Sequence, residues 1–198
     1  MPFSTASQSK IAANPPSTTS TITTSTNTTE PVYFWRPKDA HGWLGQWHAS
    51  PFFVEGEKYA TAEMWMMVCK ARLFGDEDIA RQMLNTTSPG THKALGRKVK
   101  GFKGDVWDER KLDIVIQGNY HKFTLSKDAA DLSAKLLATG DRELVEASPL
   151  DRVWGVGFAP DTAEANRGSW GENLLGKALM SVRTRLREEA KEKVGGGV

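Results

Sequence analysis

The chain has little of what marks several large functional classes. Its 198 residues contain one cysteine, Cys69, so an internal disulfide framework is excluded and a reducing compartment is expected. No apolar run is long enough to span a bilayer, and the N-terminus lacks the apolar segment of a secretory signal. A cytoplasmic or nuclear protein, neither secreted nor membrane-bound, is therefore expected. Charge of neither sign dominates: 26 Lys and Arg against 24 Asp and Glu leave a formal net charge of +2. Contact with phosphates would then come from local clusters rather than from a global field. The histidines, His41, His48, His92 and His121, show no spacing with cysteine or carboxylates that suits zinc, so no metal and no cofactor is expected. A G-x-S-x-G or Cys/His signature is also missing, which leaves serine or cysteine hydrolysis without support.

What is present divides unevenly. Residues 1–30 are dominated by Ser, Thr, Asn and Pro and have almost nothing to bury, so a disordered tail is expected there. Residues 191–198, ending in Gly195-Gly196-Gly197 and Val198, read as a frayed C-terminus. Between them, residues 31–190 form one domain, for which 39% hydrophobic content is enough to build a core. Ala60 to Phe74 is apolar nearly all round and predicts a helix buried on most faces. Ser88-Pro89 reads as an N-cap and first helical residue, with Gly96 as the stop. Helices are also predicted over Trp107–Gly118, over Ser126–Thr139 from a Ser cap to Gly140, and from Leu174 to Leu186. Short strands are predicted at Val32–Trp35, Phe52–Val54, Leu144–Ala147 and Val153–Phe158. There is no internal repeat and no alternating strand-helix series. The expected class is α+β, a helix-rich single domain with a small β-sheet.

Glu63 and Lys70 are charged groups within the most apolar helix. Seven residues return them to nearly one face, roughly 10 Å apart along the axis. A desolvated glutamate can act as general acid or base and a desolvated lysine as an amine nucleophile; the alternative is that both snorkel to solvent. Asp151-Arg152 follows a Ser-Pro turn, where aspartate can accept a sugar hydroxyl and arginine can clamp phosphate, or where aspartate caps backbone amides. Trp107 and Trp154 offer flat faces to a nucleobase, although most tryptophans are core. Gly168 to Asn173 enters the last helix and could hold a phosphate on free amides, or be a plainly capped helix. Lys93, Arg97, Lys98, Lys100 and Lys103 form a basic cluster that either faces the same anion or is a solvated loop.

Several stretches, Leu144 to Gly157, Trp170 to Lys177, Thr61-Ala62-Glu63 running into Lys70 to Phe74, and Leu95-Gly96-Arg97, together resemble the NADAR (YbiA-like) family of N-glycosidases over about Trp35 to Leu186. The resemblance implies a YbiA-like fold and cleavage of the bond between ribose C1 and a nitrogen of a nucleobase-like group. It implies two substrate types: ADP-ribose on guanine, in nucleosides or in DNA or RNA, and a ribosylaminopyrimidine phosphate of riboflavin synthesis. Glu63 and Lys70 match a glutamate and a lysine of the family, with Met64 where histidine is common; Lys122-Phe123 also resembles a family position, and Lys122 is the alternative amine. The expected catalytic set is Glu63, Lys70 and Asp151. The expected substrate-binding set is Trp107, Arg97, Lys122, Arg152, Trp154 and Asn173. A monomer is expected. The competing reading is a module that binds ADP-ribose without turnover.

Overall fold

The computed structural model describes residues 29–196; the expected Ser/Thr-rich tail falls almost wholly outside them. The protein is α+β and helix-rich, as expected, but its strands form separate two-stranded sheets rather than one small sheet. Strand β1 (Val32–Phe34) pairs in parallel with β4 (Leu144–Glu146), with Phe34 opposite Glu146. Strands β2 (Phe52–Val54) and β3 (Glu57–Tyr59) form an antiparallel hairpin. Its turn residues, Glu55 and Gly56, both have positive φ, 50° and 81°, the backbone that matches a tight hairpin to strand twist. No sequence signal had indicated β3.

The helices are α1 (Ala62–Leu73), α2 (Glu77–Leu84), α3 (Pro89–Gly96), α4 (Gly104–Leu125), α5 (Ala129–Ala138), the short α6 (Pro160–Ala163) and α7 (Leu174–Gly195). Ser88 caps α3 as expected, its hydroxyl accepting from Thr91 N at 3.3 Å. The second predicted cap fails: Ser126 ends α4 rather than opening α5. Helix α4 runs through Gly118 to Leu125 because Gly118 lies where the Trp65 ring packs, with no room for a β-carbon. That glycine is a close-approach residue and not a stop. Helix α7 likewise continues to Gly195, into the stretch expected to fray.

Two cores share α1. One packs β1 and β4 against α4, α5 and α7 through Val32, Phe34, Leu144, Val115, Phe123, Leu136 and Leu179. The other packs the β2–β3 hairpin against α1, α2 and α3 through Phe52, Tyr59, Met64, Val68, Met83 and Leu95. Met66 of α1 belongs to the first core and Met64 and Val68 to the second. This explains why the helix is apolar all round, and why a charged group in its first turn sits between the cores.

Helix α7 reaches β4 so closely that a β-carbon on Gly176 would lie 2.0 Å from Leu144 O. Val153–Phe158 is not a strand. Its carbonyls accept from the opening of α7 instead: Leu174 N to Val153 O at 3.1 Å, Leu175 N to Trp154 O at 3.1 Å, Asn173 N to Gly155 O at 3.3 Å and Gly171 N to Val156 O at 2.9 Å.

Candidate active site

A cavity of about 610 Å³ opens where the first turn of α1, the segment Gly45–Trp47, α3, the start of α4 and the stretch Glu146–Trp154 converge. The capped end of α1 fixes one wall. Thr61 Oγ1 accepts from Met64 N at 3.1 Å, and Glu63 N donates to Gln46 O at 3.1 Å, tying Gly45–Trp47 to the helix. Glu63 is 5% exposed and lines the cavity. Burial raises its carboxyl pKa to about 7, against the pull of Lys93 and of a hydrogen bond from the Trp47 side chain, and Asp151 adds a further push upward.

Glu146 also lines the cavity. Burial raises its pKa to about 8, the neighbouring Asp151 and Glu63 charges raise it further, and Lys93 opposes them. Its Oε2 is closed off from solvent and has no hydrogen-bond partner among the described residues. The Asp151 and Glu63 charges thus disfavour an ionised Glu146 while Lys93 favours it.

Of the residues expected at a site, Glu63, Asp151, Trp107 and Trp154 line this cavity. Asp151 does cap its turn: Oδ1 accepts from Val153 N at 2.9 Å and Trp154 N at 2.8 Å, which aims the residue and presents Trp154. The other expected residues are elsewhere. Lys70 is half-buried with Nζ donating to Gly96 O at 3.0 Å and lying over Phe102 and Trp107. Two helical turns keep it on Glu63's face but carry it past the cavity. Lys122 is fully buried; its Nζ donates to the carbonyls of Trp43, Gly45 and Leu44 at 2.6, 3.0 and 3.4 Å, and burial lowers its pKa to about 7. Asn173 is buried with φ of 51°. Its side chain accepts from Glu146 N at 3.0 Å and donates to Leu144 O at 2.9 Å. Arg152 is exposed and donates to Ser169 O at 2.7 Å, and Arg97 is an exposed residue at the end of α3.

The α7 entrance does not offer free amides to a phosphate, because the carbonyls of residues 152–156 already accept from them. The basic cluster is also divided. Lys93 lies within α3 and lines the cavity, whereas Lys100 lines a separate open groove with Asp76 and Glu77.

Sequence reasoning singled out Lys93 only as one member of the basic cluster, and missed Glu146, Trp47, and the Trp35–Arg36 pair in which the Arg36 guanidinium lies 4.1 Å from the Trp35 ring centroid. Glu146 had a legible signal. It is a charged residue in an otherwise apolar strand whose partner strand supplies Phe34. Trp35 and Trp47 carried no spacing signal. Among the described residues no group of His, Cys, Asp and Glu could hold a metal ion, and no helix is long and apolar enough to cross a membrane.

The buried Glu63, the part-buried Glu146 and the side chains of Trp35, Trp47, Trp107 and Trp154 line one cavity of this α+β fold, and the family resemblance is borne out. The NADAR domain matches residues 33–187, and the chain belongs to that family. It is 40% identical over 147 residues to N-glycosidase R617 of Acanthamoeba polyphaga mimivirus, covering 71% of this chain and 85% of that protein. It is 28% identical over 161 residues to riboflavin biosynthesis protein VVA0006 of Vibrio vulnificus, covering 81% of this chain but only 40% of that longer protein. The NMR structure of Escherichia coli YbiA superposes with a TM-score of 0.68 at 27% identity, covering 83% of this chain and 89% of YbiA.

Proposed function

We propose that the protein is an N-glycosidase that removes ADP-ribose from ADP-ribosylated guanine, in nucleosides or in nucleic acid, with Glu63 as general acid–base residue. The observation that carries this is the pair of glutamates, Glu63 buried and Glu146 part-buried, that line one cavity with Trp107 and Trp154 and have raised pKa values. Cleavage at ribose C1 develops positive charge on the sugar carbon and negative charge on the departing nitrogen. A carboxylate near C1 and a proton source near the nitrogen answer those two demands. Trp107 and Trp154 supply stacking faces for the guanine, and Arg36 supplies a planar cation for the phosphates. Asp151 completes the acidic wall.

The amine for any covalent step is Lys93 and not Lys70 or Lys122. Lys93 and Lys111 line the cavity, but Lys111 Nζ is bound by Asp108 Oδ1 at 2.7 Å. Lys93 is left beside the carboxyls that can take its proton. Lys70 and Asn173 act as positioning residues, the first through Trp107 and the second through Glu146.

A second reading has its own support: the likeness to VVA0006 spans 81% of this chain and favours a ribosylaminopyrimidine phosphate of riboflavin synthesis as substrate. The two are separated by incubating the full chain with ADP-ribosylated guanosine and, in parallel, with the pyrimidine riboside phosphate, and following base release. Faster turnover of the first is expected; faster turnover of the second at equal concentration reverses the assignment. Stoichiometric ADP-ribose binding with no release from either would make the protein a binding module.

A further inference from the structure

Strand β4 buries Leu144 and Val145 completely, and its third residue is a glutamate held as firmly as they are. The Glu146 N–H donates to Asn173 Oδ1 at 3.0 Å and its carbonyl accepts from Val156 N at 2.9 Å. Gly155 lies against that carbonyl so closely that a β-carbon would stand 2.5 Å from it. Asn173 itself adopts a left-handed backbone to make its bonds, a conformation that costs energy in most residues other than glycine. Such bracing from two segments fixes the backbone of a residue that lines the cavity.

The groups that face Glu146 are Glu63 from α1, Asp151 from the turn and Lys93 from α3. The two glutamates differ in what supports an anion. Glu63 lies in the first turn of α1, where the helix dipole favours negative charge. Glu146 Oε2 has no donor among the described residues. Where adjacent carboxyls share one proton, it rests on the one whose anion is less well supported.

We infer that Glu146 is the acid that protonates the departing nitrogen and that Glu63 is the base it works against. The inference rests on the N-glycosidase reading and assigns the halves of its acid–base chemistry. As the bond between C1 and nitrogen breaks, its electron pair goes to nitrogen and the Glu146 proton follows. Water replaces the base at C1: its oxygen bonds to C1 as the bond to nitrogen breaks, and it gives its proton to Glu63. Transfer of that proton from Glu63 to Glu146 across the cavity restores the starting state, so no outside acid is consumed.

The test is kcat/KM on ADP-ribosylated guanosine from pH 5 to pH 10 for the full chain and for Glu146→Gln, Glu146→Asp and Glu63→Gln. ADP-ribose binding is measured alongside. The wild-type rate should fall at alkaline pH as the acid loses its proton. Glu146→Gln should lose about 10²- to 10⁴-fold, lose that alkaline fall, and still bind ADP-ribose; Glu146→Asp should recover part of the rate and restore an alkaline fall at a shifted pH. Glu63→Gln should be slow yet keep the alkaline fall. Wild-type rate and pH profile in Glu146→Gln would overturn the inference. Should Glu146→Gln fail to fold, a Glu146→Asp profile coincident with wild type would overturn it equally. Absence of base release by the wild-type chain from either substrate would instead sink the N-glycosidase reading, and this assignment with it.

Discussion

Lys122 and Glu146 are both ionisable side chains with polar atoms closed off from water, and those atoms are satisfied to opposite degrees. Lys122 spends its ammonium protons on the carbonyls of Trp43, Leu44 and Gly45, while Glu146 Oε2 has no partner among the described residues. A buried charge with its hydrogen bonds filled holds the fold together; one left wanting, on a cavity wall, is available for chemistry. Lys122 still serves the site, because the carbonyls it gathers lead directly into Gly45–Trp47, which forms one wall.

The sharpest break between the two regions should come from Glu63→Gln. Shape and one acceptor are kept while proton exchange is lost, so kcat should fall by about 10²- to 10⁴-fold with ADP-ribose affinity nearly unchanged. Steady-state kinetics and calorimetry check this, and wild-type turnover would make Glu63 structural. Lys122→Met should do the reverse. Several buried carbonyls lose their donor, which costs roughly 3 kcal/mol of folding stability by urea denaturation; a stable variant with normal unfolding would show that the carbonyls find other partners.

The contrast depends on how much of each region the sequence disclosed. Helix α1, the Ser88 cap and strands β1 and β4 were legible because periodicity and capping chemistry act locally. The false strand at Val153–Phe158 was apolar enough to read as one, but its carbonyls face the start of α7, an arrangement that only the tertiary fold creates. Helix α2 was overlooked although Asp76 caps it, Oδ1 accepting from Ile79 N at 3.2 Å. At the site, Glu63 was readable as a charge inside an apolar helix. Lys70 carried the same signal and answers to a different environment, the Gly96 carbonyl and aromatic faces. Lys93 was hidden in a basic run, because only the end of α3 at Gly96 separates it from Arg97 and Lys98.

A middle-sized effect concerns the aromatic walls. Trp107→Ala or Trp154→Ala should weaken binding of the guanine-bearing substrate by about 1–3 kcal/mol each while leaving ADP-ribose binding less affected; equal losses for both ligands would place the base elsewhere.

The pH dependence of stability is a smaller effect. Glu63 and Glu146 have folded pKa values raised from 4.5 to about 7 and about 8. Their contribution is therefore fully present below pH 4.5 and is lost as pH rises through about 7 to 8. Glu146→Gln should remove part of that loss and exceed wild type in stability at pH 9 by roughly 1–2 kcal/mol, with little advantage at pH 4. Equal stability differences at both pH values would mean the carboxyl is not held protonated. The smallest effect should be that of Lys98→Gln with Lys100→Gln, which lie away from the cavity; nucleoside turnover should change less than twofold, and a large loss would bring that loop into the site.

The central claim, that this cavity breaks the bond between ribose C1 and a nucleobase nitrogen, is tested most directly by mixing the full chain with ADP-ribosylated guanosine and resolving the products chromatographically. Free guanosine and ADP-ribose, released by wild type and suppressed by Glu63→Gln, is the predicted result. Intact substrate after stoichiometric binding to the wild-type protein, or equal release by wild type and Glu63→Gln, would contradict it.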